Sequence, residues 1–307
     1  MVKRCYAVKD IPMSMKYFLI MLMICTLWGL HFVVVKTTID NVAPPLFYAA
    51  LRMSGVALVL LPKLKWHKGQ MRKILIAGLG FGGLNYAFLF PGAGLTTAGG
   101  ASIAIELYVP FSIILAVIFL GERIGLPRIA GIALAFAGVA LISLSKQPEA
   151  VGPHFVLGMM LVALAGLCEA VAAMFVKTVK DVSPWQLLAW FACVGSMVLW
   201  PLTFILEDGQ MRSFAPESRQ AFVLALLYSI VCGSLIAHSA YYYMLSRLPM
   251  YKVAGVGLLS PLIAVIGGII ILGEPISTSL IIGGAMTLIG VLLILLRGKT
   301  PIPPVEV

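Results

Sequence analysis

Residues 108–138 read YVPFSIILAVIFLGERIGLPRIAGIALAFAG, and residues 259–290 read LSPLIAVIGGIIILGEPISTSLIIGGAMTLIG. Each stretch opens on a proline at its third position (Pro110, Pro261) and runs through apolar residues to a Leu-Gly-Glu triplet. The triplets are Leu120-Gly121-Glu122 and Leu272-Gly273-Glu274, and each is followed by two glycines, Gly131 and Gly138 against Gly283 and Gly290. The echo lies 151–152 residues downstream, with one residue inserted between proline and triplet. Earlier parts of the chain echo as well. Val35-Lys36-Thr37 returns as Val176-Lys177-Thr178, Pro44 as Pro184 and Gly55 as Gly195. The chain is two tandem copies that divide near residues 147–155.

Composition fixes the solvent. Of 307 residues, 61% are hydrophobic and 11% charged, against about 45–50% and about 25% in a soluble domain. Such a chain cannot cover a water-facing surface, and mean hydropathy is +1.04. Ten apolar runs approach the bilayer-spanning length of about 20 residues. They are 17–35, 45–61, 74–95, 98–120, 126–144, 155–176, 185–206, 221–245, 253–272 and 280–296. Backbone groups in hydrocarbon must bond within their own segment, and no alternating barrel pattern occurs, so the runs predict helices. The first run exceeds a signal-peptide core and no A-x-A site follows it, which retains it as the first helix.

The net charge of +10 would suggest nucleic acid in a soluble protein, but here the cations fall in short loops. With the N-terminus taken as cytoplasmic, seventeen Lys and Arg lie on that side. Four (Lys36, Lys146, Arg212, Arg219) lie on the other, and Arg52 is inside a run. This positive-inside bias predicts two cytoplasmic termini and no nucleic-acid partner. Residues 1–16 and 298–307 then form cytoplasmic ends around two five-helix repeats, 17–146 and 155–297. Five is odd, so the second repeat enters from the opposite side. The expected fold is all-α, with ten transmembrane helices as two inverted repeats. Inverted repeats recur in secondary transporters, which bind substrate near the midplane between them.

The segment Trp28-Gly29-Leu30-His31-Phe32-Val33-Val34-Val35-Lys36 resembles the W-G-x-x-F-x-x-x-K signature of EamA-type transporters in the drug/metabolite transporter superfamily. The Pro…Leu-Gly-Glu pattern ending runs 4 and 9 is similar to that family's repeat signature, and Arg52 matches a frequent helix-2 arginine. The resemblance covers about residues 15–297 and is nearest to bacterial amino-acid and metabolite exporters. It implies ten helices, a central cavity lined by helices 1, 3, 4, 6, 8 and 9, and export of small metabolites across the bacterial inner membrane. One departure is Glu106, where the resemblance leads to a neutral or amide residue.

Ionisable groups inside spans are expensive and mark candidate sites. Glu106 sits roughly 12–14 Å into the fourth run, at 1.5 Å per residue. Two readings apply: a cavity carboxylate that binds an amine or a proton, and a structural partner for Arg52 on the second run. Glu169, His31 and His238 form a second tier, with both histidines also readable as structural, His31 donating to a carbonyl. Trp28 lies deeper than an interfacial anchor, and Tyr86 and Tyr242 stand in corresponding aromatic stretches of the two halves. These eight residues are the cavity candidates. Pro110 and Pro261 permit a kink or break, and Glu122 and Glu274 predict helix-end contacts, so these four are read as gating or structural. Trp66, Trp185 and Tyr251 read as interfacial anchors.

Other chemistry finds little footing. Gly78-Leu79-Gly80-Phe81-Gly82-Gly83 matches G-x-G-x-x-G, yet no strand precedes it. Five cysteines form no C-x-x-C and read as small buried hydrophobes. Metal-ligand spacing, G-x-S-x-G and D-x-x-x-D are absent, so no metal, cofactor or enzyme activity is expected. The expected function is a secondary exporter of small polar metabolites, amino acids or their derivatives, with proton or counter-substrate coupling. The competing readings are an exchanger or importer of a nucleobase or sugar derivative, and a non-transporting receptor or scaffold. The sequence leaves monomer and homodimer both open.

Overall fold

The computed structural model describes residues 14–121, 124–145, 152–248, 253 and 256–296, excepting the side chains of 120, 242, 245 and 246. All regular structure among them is helical. In chain order the helices are α1 (Met15–Asn41), α2 (Pro45–Lys63), α3 (Met71–Leu95), α4 (Ala98–Phe119), α5 (Leu126–Leu144), α6 (Phe155–Val176), α7 (Pro184–Leu206), α8 (Arg219–Tyr241), α9 (Leu259–Leu272) and α10 (Thr278–Leu296). Among the described residues nine are long and apolar enough to cross a membrane, and α9 is shorter. Large apolar side chains such as Ile118, Leu144, Met197 and Ile270 face outward. A surface of that kind belongs in hydrocarbon, and the chain is a multi-pass membrane protein.

Helix starts follow local chemistry. Ser183 forms a capping box with Gln186, and Thr97 Oγ1 accepts the Gly100 N–H at 2.9 Å. α1 outruns its apolar stretch, ending at Asn41 rather than Val35. Its polar last turns are self-satisfied: Lys36 pairs with Asp40 at 2.9 Å, and Thr37 and Thr38 bond back to the carbonyls of Val33 and Val34. The Leu-Gly-Glu triplets also acquire a reason. Gly121 and Gly273 close α4 and α9 in the left-handed region, at φ 66° and 67°, where a Cβ is strained.

The two halves interlock through equivalent contacts. α1 packs on α9 as α6 packs on α4, and α5 pairs with α10 and α2 with α7. Small residues permit the approach. A Cβ on Gly138 would lie 2.3 Å from the Gly283 carbonyl, and one on Gly290 2.6 Å from that of Gly131. The G-x-G-x-x-G stretch serves the same purpose: a Cβ on Gly82 would reach 1.9 Å from the Phe191 carbonyl of α7.

Regular α-helix breaks at matched places. α4 tightens to a 3-10 turn at Ile105–Leu107, ahead of Pro110, and a turn at Leu258 precedes Pro261. Each proline lacks the N–H that the carbonyl four residues back, of Glu106 or Gly257, would accept. The expected run 253–272 therefore divides, with Val253 and residues 256–257 helical on the near side of the turn. α3 and α8 each widen to a π-helix, at Leu79–Asn85 and Tyr228–Ile236, which the sequence did not suggest. Such segments are rare and concentrate at functional sites.

Candidate functional site

The 3-10 turn of α4 and the π-helix of α3 both pack against α6. Gly166 of α6 lets the Ile105–Leu107 turn come close, since a Cβ there would lie 3.2 Å from the Ile105 carbonyl and the Tyr108 nitrogen. That turn carries Glu106, and one helical turn past Gly166 stands Glu169. Both residues are half-buried. Asn85, on the π-helix of α3, donates through Nδ2 to the Ala165 carbonyl at 2.9 Å and to Glu169 Oε2 at 3.3 Å. It thereby orients one acid. The Glu106 side chain accepts no hydrogen bond and pairs with no cation among the described residues.

An aromatic cluster gathers around Trp28 of α1, which packs against α4 and α8. Trp28 Nε1 donates to the Gly233 carbonyl, on the π-helix of α8, at 3.2 Å. Its ring lies 5.4 Å from that of His238, edge-on, and 5.3 Å from that of Tyr241. His238 Nδ1 is 3.0 Å from the Ser234 carbonyl. The 141-residue offset relating Lys36 to Lys177 also relates Trp28 to Glu169. Equivalent positions of the two halves thus carry an indole and a carboxylate.

Arg52 is not the partner of Glu106. It is 3% exposed, donates through Nε and Nη2 to Ser234 Oγ at 3.3 and 3.1 Å, and lies over the Tyr86 ring at 4.8 Å and the Phe90 ring at 5.9 Å. The aromatic faces and a hydroxyl hold the cation where the sequence suggested an acid. His31 bonds a hydroxyl rather than a carbonyl. Its Nε2 is 3.0 Å from Ser229 Oγ, which also bonds the Tyr48 hydroxyl, and Tyr48 donates to the Ala225 carbonyl at 2.9 Å. His31, Tyr48 and Ser229 are buried.

Glu274 makes the helix-end contact its position predicted: Oε1 accepts the Ala98 N–H at 2.6 Å. Burial pushes its carboxyl above the ordinary range, against the opposing pull of the Ala98 and Gly99 N–H groups and of Lys36. Glu207, unremarked in the sequence, does the same for α2, accepting from Leu46 N at 2.7 Å and Phe47 N at 2.9 Å. On the opposite face, Gln70 exchanges hydrogen bonds with the Lys180 backbone at 2.7 and 2.8 Å. Glu122 and Tyr251, and the side chain of Tyr242, lie outside the described residues. Of the cysteines, Cys25 is buried and its Sγ donates to the Val256 carbonyl at 3.3 Å, whereas Cys168, Cys193 and Cys232 are only half-buried. Polar residues within apolar runs, Asn85, Ser229 and Ser234, were the available signal for the partners that sequence reasoning missed.

The sequence pattern of the EamA-like transporter family matches residues 15–144 and again 156–296. An uncharacterized transporter of Archaeoglobus fulgidus is 25% identical over 287 residues, covering 91% of this chain and 99% of that protein. A probable amino-acid metabolite efflux pump of Escherichia coli is 28% identical over 287 residues, covering 91% and 94%. A solved crystal structure shares the fold with a TM-score of 0.55 at 17% identity, over 91% of this chain and 96% of that one.

Proposed function

We propose that this chain, which belongs to the EamA-like transporter family, exports small polar metabolites of the amino-acid class from the cytoplasm. The bundle between the repeats holds the substrate site, around Glu106, Glu169, Trp28, Tyr241 and His238. Rocking of one repeat against the other exposes that site alternately to the two sides. What carries this reading is a pair of half-buried acids at a helix break within the bundle, Glu106 on the 3-10 turn of α4 and Glu169 on α6, which packs against that turn. A scaffold has no use for charges that cost several kcal/mol to keep there. The amino-acid class is supported by the named function of the Escherichia coli relative. The basic loops support cytoplasmic termini in a bacterial inner membrane. In this reading residues 17–146 and 155–297 are the moving halves, and energy comes from a proton or counter-substrate gradient.

The test is efflux from proteoliposomes loaded with labelled amino acids, against protein-free vesicles. Flux above the empty-vesicle rate for at least one of them is expected. Rates equal to empty vesicles across the whole panel reject the transport reading.

A further inference from the structure

We propose that the substrate presents an ammonium group to Glu106 and Glu169, and that the site selects small amines of net positive charge over neutral and anionic compounds. This rests on the transport reading and names the class of solute that its central site accepts.

Three independent features converge. First, no cation of the protein neutralises either carboxylate among the described residues. Arg52 is held by Ser234, Tyr86 and Phe90, and Lys36 by Asp40 and the Gly94 carbonyl. Both residues are half-buried. Second, an aromatic pair stands beside α4. α1 packs against both α4 and α8, and Trp28 of α1 lies 5.3 Å from Tyr241 of α8 between ring centres. Indole and phenol faces attract ammonium groups. Third, the break at Ile105–Leu107 turns Glu106 out of a regular helix, while Asn85 fixes Glu169. An ammonium there makes charge-assisted hydrogen bonds to the two carboxylates. An anion meets two carboxylates and, among the described residues, no cation of the protein paired with them.

The experiment uses lysine, Nε-acetyllysine and Nα,Nε-diacetyllysine, one skeleton carrying two, one and no ammonium groups. Binding to purified full-length protein is measured by calorimetry, and flux in proteoliposomes. Affinity should fall at each acetylation, with lysine bound at least about tenfold more tightly than the diacetyl form, since charged hydrogen bonds are the stronger kind. Glu106→Gln and Glu169→Gln should each weaken lysine binding about tenfold while melting stays near wild type. Diacetyllysine bound as well as lysine by the wild-type protein overturns the proposal, and that comparison needs no variant to fold. Flux of all three at equal rates overturns it too, while leaving transport standing. Graded binding without flux supports ammonium recognition and rejects transport instead.

Discussion

The carboxylate of Glu274 accepts the backbone N–H of Ala98 at 2.6 Å, so a residue of the second repeat caps the helix of the first repeat that carries Glu106. The free N–H groups of a helix start and the positive end of its dipole both favour an acid there.

Glu274→Ala should therefore lower stability by about 1–2 kcal/mol, the usual value of a lost cap. Glu274→Gln keeps an acceptor and should lose much less. Burial raises this carboxyl above its ordinary value of 4.5, so the folded protein holds the proton to higher pH than the unfolded chain does. Its contribution is full below that ordinary value and declines as pH rises through the raised one. Wild type should lose ground to Glu274→Gln over that interval. Thermal unfolding of the three proteins across pH checks both points, and an unchanged melting temperature in the alanine variant would remove the cap from the account.

Arg52→Lys should destabilise despite keeping the charge. A lysine ammonium cannot both reach Ser234 Oγ and lie flat over Tyr86, as the guanidinium does. The loss should be about 1–2 kcal/mol, the range of a buried cation–π contact. A double-mutant cycle with Ser234→Ala apportions it; full additivity of the two changes would mean that the pair is not coupled.

Gly82 allows α3 to touch α7, since its Cβ would lie 1.9 Å from the Phe191 carbonyl. Gly82→Ala must push the helices apart, at a cost of about 1–3 kcal/mol. Gly152→Ala, where nothing lies within 4 Å, is the neutral control. Equal melting of the two variants in detergent would contradict the close contact.

Pro110→Ala restores the N–H that the Glu106 carbonyl lacks as a partner. The 3-10 turn should relax to α-helix and reorient Glu106, leaving the fold intact or more stable and slowing flux. Wild-type flux in this variant would show that the break is not needed for transport.

Residues 68 and 181 should report the same side of the membrane, because Gln70 bonds the Lys180 backbone. Gly209 should report the other, near the Glu207 cap on α2. Reporter fusions at Lys68, Asp181 and Gly209 check this. Cytoplasmic readings are expected at the first two, and a split between them would refute the shared face.

Much of the fold was legible because bilayer helices obey a simple rule: an apolar run of sufficient length must satisfy its backbone internally. Leu126–Leu144 and Phe155–Val176 have the same ends in the sequence and in the structure. The reading failed where polar residues satisfy themselves, as in the last turns of α1, and where one proline divides a run, as at Leu258. The π-helices left no trace in hydropathy, because widening a turn moves side chains without changing composition. Site residues were legible as types and depths. Arg52 and Glu106 both stood out as charges in apolar runs, and depth alone suggested that they pair.

The sequence by itself determined the membrane as solvent, the helical class, the duplication and its inversion. Each follows from counting: apolar fraction, run length, repeat offset and an odd number of spans. Only the tertiary structure decided which charges meet. Arg52 turned to Ser234, Tyr86 and Phe90, Glu274 to the start of α4, and Glu106 was left on a turn packed against α6, the helix of Glu169. Partners in a bundle depend on the rotation and register of each helix about its neighbours. Those are set by sub-ångström packing of residues such as Gly82, Gly138 and Gly166, and a one-dimensional pattern does not carry them.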